Sequence, residues 1–111
     1  MTLKKFCITK ENIRDLAKGN GACFATDRIM VDGMRIGYMY REEPDNEIDS
    51  GWRFMCGDES DEYMDNPDNM GIYDVNTVAN YDTDIIPYLS ASIGSKYSRF
   101  NESKKLLPDD K

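Results

Sequence analysis

Carboxylates are the groups with the most chemistry to offer in this chain. Residues 42–84 carry fourteen Asp and Glu side chains against one base, Arg53, whereas the rest of the 111 residues carry seven acids and thirteen bases. Two carboxylates can share general acid and general base work when burial lifts the pKa of one and water keeps the other ionised. Hard carboxylate oxygens at fixed geometry also suit calcium or magnesium. Here the acids fall in stretches such as "REEPDNEIDS" (41–50) and "GDESDEYMDNPDNM" (57–70). Their Pro, Gly, Asn and Ser content marks solvated loops, in which every carboxylate stays ionised. The second stretch also fails the EF-hand pattern, since a start at Asp65 puts Pro67 third and Met70, not glycine, sixth.

Other chemistries are excluded more simply. The chain has no histidine, the commonest general base near neutral pH and a leading transition-metal ligand. Its three cysteines, Cys7, Cys23 and Cys56, form no CxxC pair, so a zinc site lacks both usual ligand types, and each thiol reads as a small hydrophobe. No glycine-rich phosphate loop is present. The expectation is a protein that is not an enzyme, with no catalytic residue, no bound metal and no cofactor. The opening "MTLKKFCITKEN" holds no apolar run of signal-peptide length. A cytoplasmic protein with reduced thiols and no membrane partner is therefore expected. Nucleic acid is an unfavourable partner, because phosphate is repelled by the acidic segment.

A third use for the acids is recognition of a basic protein surface, where dense negative charge speeds encounter. The candidate contacts are Tyr40, Glu42, Glu43, Asp45, Asn46, Asp49, Trp52, Asp58, Glu59, Asp61 and Glu62. That use needs the two acidic loops to fold into one patch beside the tryptophan. Trp52 alternates with Phe54, which makes a core position the stronger reading for it. The bland alternative for the acids is a solvated surface that keeps the protein soluble.

The elements that must position these residues follow from pattern. Thr9 with "KENIRDLAKGNG" reads as an N-terminal amphipathic helix, and "ACFAT" as a strand. "RIMVDGMRIGYMY" reads as a hairpin about Asp32-Gly33, and "GWRFMC" as a strand with Trp52 and Phe54 on one face. "IYDVNTVANY" alternates like a strand, although its Asn and Asp residues are unfavourable there. "DTDIIPYLSA" reads as a short C-terminal helix capped by Asp82 or Asp84, and "IGSKYSRF" as a last strand. The fold class expected is α+β: a single small domain with a mainly antiparallel sheet, an N-terminal helix and a short C-terminal helix. Residues 1–21 are the helical segment, 22–100 the domain, and 101–111 a polar tail that frays.

The run "GYMYREEPDNEIDSGWRFMCGDESDEYMDNPDNMGIYDVNTVANYDTDIIPYL" closely resembles the immunity-protein-33-like family of bacterial polymorphic toxin systems. The resemblance extends from about Ala22 to Arg99, with Thr83 standing where the family often has proline. It implies a cytoplasmic α+β protein that binds and neutralises a cognate toxin, and it brings no catalytic residues. Among the matching positions, Arg41 and Arg53 are placed to pair with nearby acids, and Gly51 and Gly57 to shape turns. The alternative kept beside it is a non-catalytic module for a small molecule or divalent metal.

Overall fold

Alternation along the central strands decides which face of the sheet is buried. The computed structural model describes residues 4–99 and 106–108. Six strands form one sheet in the order β4-β1-β3-β2-β5-β6. They are β1 (Ala22–Thr26), β2 (Tyr38–Arg41), β3 (Asp49–Met55), β4 (Met70–Asp74), β5 (Lys96–Ser98) and β6 (Leu107–Pro108). The sheet is mixed: β1 and β3 run parallel at its centre, and the other four neighbouring pairs are antiparallel.

Cys23 and Ala25 of β1, Met39 of β2, and Trp52 and Phe54 of β3 point to one side. Ile29 and Met30 of helix α1 (Asp27–Met30) cover them, with Val75, Val78 and Ala79 of helix α3 (Val75–Tyr81). Ile85 and Leu89, in and just after the 3-10 segment Thr83–Tyr88, close the layer. Trp52 is fully buried, its ring 6.0 Å from that of Phe54, and its indole N–H donates to the Leu89 carbonyl at 3.2 Å. Leu106 is buried in the same core, while the remaining tail residues 101–105 and 109–111 lie outside the described residues.

Three local expectations give way. At residues 9–19 there is a single 3-10 turn, Lys10–Asn12, and then an irregular arm with bends and a turn at 16–20. The arm's backbone is bonded by side chains instead: Asn76 Oδ1 accepts from the amides of Leu16 and Ala17 at 2.7 and 2.8 Å, and Asn76 Nδ2 donates to Arg14 O at 2.9 Å. The Asp32-Gly33 hairpin is replaced by α1, whose turn closes when Val31 N donates to Asp27 O and Gly33 N to Ile29 O. "IYDVNTVANY" is strand only as far as Asp74. That carboxylate accepts from Asn76 N at 2.8 Å and so caps α3. The short C-terminal helix is present, as the 3-10 segment, with Asp82 as its cap, accepting from Asp84 N at 3.0 Å.

Candidate functional site

The opposite face of the sheet carries Phe24, Arg53, Tyr40 and Ile72, which the register sets side by side across four strands in the order Ile72, Phe24, Arg53, Tyr40. No described helix packs on them; the core cluster and the rings packed against it all belong to the other side. Ile72 is 69% exposed. Arg53, by contrast, is 3% exposed, and it organises the site.

A bulge makes this possible. Between the pairs Ala22–Asp49 and Phe24–Arg53, β1 advances two residues and β3 four, and Gly51 takes φ +90° within the extra length. Asp49 thereby reaches back to Arg53, its two oxygens accepting from Nη1 and Nη2 at 2.9 and 2.8 Å. Glu42 accepts from Arg53 Nε at 2.6 Å, and the guanidinium lies over the Phe24 ring at 4.4 Å. Asp45 stands farther off, 3.9 Å from Nη2, with its side chain 71% exposed. Hydrogen bonding from Arg53 holds the Asp49 carboxyl well below the usual carboxylate range, against the opposing effect of burial. Arg41, expected to pair with acids, donates instead to the carbonyls of Ser50 and Ala91 at 2.9 and 2.7 Å.

The candidate contacts divide. Tyr40, Glu42, Glu43, Asp45, Asn46 and Asp49 gather where β2 turns into β3. Asp58, Glu59, Asp61 and Glu62 follow the other end of β3, a strand whose seven residues span roughly 20 Å at ~3.4 Å per residue. The single patch expected of the two loops is therefore not formed. Trp52 has no exposed surface and sits in the core, the stronger of its two readings.

Several of the acids hold the fold. Glu59 accepts from Thr26 Oγ1, Cys56 N and Gly57 N at 2.6, 2.8 and 2.8 Å, closing the end of β3. Asp58 pairs with Arg28 at 2.6 Å, and that hydrogen bond lowers its pKa. Asn46 Oδ1 accepts from Ile48 N and Asp49 N, both at 2.9 Å, and builds the β2–β3 loop from within. Glu43, Asp61 and Glu62 are exposed.

Two of the three thiols have raised pKa values. Burial pushes the Cys23 thiol far up and raises Cys56, the reverse of what a nucleophile needs. Among the described residues no buried side-chain nitrogen or oxygen lacks a partner, and no cluster of three Cys, Asp or Glu is arranged to hold a metal ion. No described helix is long and apolar enough to cross a membrane. A shallow groove of about 580 Å³ lies between the Gly33–Gly37 turn, Cys56 and Arg99. Its cations turn away to carboxylates, Arg35 to Asp84 at 2.7 Å and Arg99 to Asp82 at 2.7 Å.

The family model described as the immunity protein Imm33 domain matches residues 23–109. The chain belongs to the Imm33 family. The Imm33 match takes in the sheet from Cys23 of β1 through β6, with the bulge and the Arg53 cluster inside it, and leaves out the N-terminal arm that Asn76 holds. No curated protein and no solved structure matches the chain. Phe24 and Ile72 are the surface residues that the sequence reading missed. Their signal is cross-strand register, which no single run of sequence displays.

Proposed function

We propose that this Imm33 protein neutralises a cognate toxin protein by binding it, without catalysis, and that its exposed carboxylates meet a basic surface on that toxin. The observation that carries the reading is the Imm33 match over residues 23–109. The charge pattern supports the electrostatic part: Glu42, Glu43, Asp45 and Glu47 crowd the β2–β3 loop, where Arg53 is enclosed and the Arg41 guanidinium is held by the Ser50 and Ala91 carbonyls. Since the two acidic ends are a strand's length apart, a toxin of modest size engages one of them, and the β2–β3 end also borders the open sheet face. The reading places the protein in the cytoplasm, as the family resemblance implies.

The test is a growth assay in cells that express a toxin encoded beside this gene, with and without the protein. Protection is the expected result, together with a stable complex on copurification whose association slows as salt rises. If cells die equally with and without the protein, for every toxin domain encoded alongside it, the immunity reading is wrong.

A further inference from the structure

We infer that the hollow where the open sheet face meets the β2–β3 loop is a socket for one basic side chain, arginine or lysine, of the partner protein. The inference rests on the toxin-binding reading and names the contact within it. The hollow has a volume of about 110 Å³ and is lined by Cys23, Phe24, Asp45, Asn46, Asp49 and Ile72. Pockets for metabolites run to roughly 300–1,000 Å³, so this one has the size for a single side chain.

Its walls differ in kind. Phe24 and the exposed Ile72 give an apolar side, against which the methylene stem of a long basic residue can lie. Asp45 and Asp49 give an anionic side. Asp49 is saturated by Arg53, Asp45 N and Gly51 N. Asp45, 71% exposed and 3.9 Å from the guanidinium, keeps its carboxylate oxygens available. Arg53, beside the hollow, is already matched by Asp49 and Glu42, and no cation is among the residues that line the hollow, so the surplus charge at the rim is negative. A neutral or acidic side chain would leave Asp45 unanswered; a cation on an apolar stem satisfies both walls.

The experiment titrates the 15N-labelled full chain at low salt with acetyl-Gly-Arg-Gly-amide, using acetyl-Gly-Gln-Gly-amide as the uncharged control. Saturable amide shifts centred on Phe24, Asp45, Asn46 and Ile72 are expected with the arginine peptide alone. Asp45→Asn and Ile72→Ser, both at exposed positions, should each weaken that binding about threefold or more, and Glu11→Gln in the exposed N-terminal 3-10 turn should leave it unchanged. Shifts spread evenly over both acidic ends, or centred on helix α2 (Asp61–Asp65), would overturn the socket. So would Asp45→Asn and Ile72→Ser proteins that protect cells from the toxin as well as the unaltered chain does. The growth assay with the unaltered chain reads the immunity function by itself, so the failure of one idea is distinguishable from the failure of the other.

Discussion

Arg53 is a charge taken almost out of water, and its partners are unequal: the Asp49 side chain is 8% exposed, that of Glu42 50%. Removing one member of a buried pair leaves the other uncompensated, which costs more than the pair contributes over a well-packed apolar substitute. Arg53→Met should therefore destabilise the fold by about 3 kcal/mol, lowering the melting temperature by about 10 °C or more at roughly 4 °C per kcal/mol. The pair also sets a pH dependence. The Asp49 pKa is depressed in the fold, so its stabilising contribution is complete above the unfolded carboxylate pKa of about 3.9 and is lost as pH falls below it. Urea midpoints for the unaltered protein and Asp49→Asn should differ by a constant amount from pH 7 to about pH 5. The gap should then narrow below about pH 4. A gap that stays constant to pH 2 would mean that Asp49 acts through packing and not through its charge.

At the scale of elements, two glycines with nearly the same backbone separate conformation from crowding. Gly19 has φ +86° with open space where a Cβ would stand; Gly51 has φ +90°, and its Cβ would run into the Glu42 carbonyl and the Arg41 side chain. Gly19→Ala should cost only the positive-φ strain, about 1 kcal/mol. Gly51→Ala should cost markedly more, because the bulge that delivers Asp49 to Arg53 must shift. Equal losses in thermal melts would show that the close approach is unimportant. The N-terminal arm offers a second test. Asn76→Ala strips the acceptor from the Leu16 and Ala17 amides, and hydrogen exchange there should accelerate about tenfold or more, at ~1–3 kcal/mol for the unsatisfied groups. That same contact explains what the sequence concealed. β1, β3, β5 and the Asp82-capped segment follow from local alternation and capping, and they are legible residue by residue. The arm looks helical by spacing, yet its hydrogen bonds go to an asparagine about sixty residues later, a partner no local window contains. Asp74 fits an alternating strand and a helix cap equally well, and the backbone resolves the tie by capping α3. The acids were legible as a group, but not their division into structural ones such as Asp49 and Glu59 and open ones such as Glu43 and Asp45.

For the whole molecule, the placement of charge matters more than its sum of −7. The two acidic ends lie roughly 20 Å apart along β3, about twice the screening length of ~10 Å in 0.1 M salt. A basic partner approaching one end therefore feels little of the other, and steering is local. Two triple variants separate local steering from net charge, because each removes the same three charges. Glu43→Gln with Asp45→Asn and Glu47→Gln strips the β2–β3 end while sparing Glu42 and Asp49, which hold Arg53. Asp61→Asn with Glu62→Gln and Asp65→Asn strips α2 at the other end. With a toxin that the protein neutralises, stopped-flow association in 0.05 M salt should slow about tenfold for the first variant and flatten in its salt dependence. The second should stay within about twofold of the unaltered protein, since its lost charges lie beyond the reach of the docking surface. Matched slowing of the two would assign the steering to the overall field, because only position distinguishes the variants.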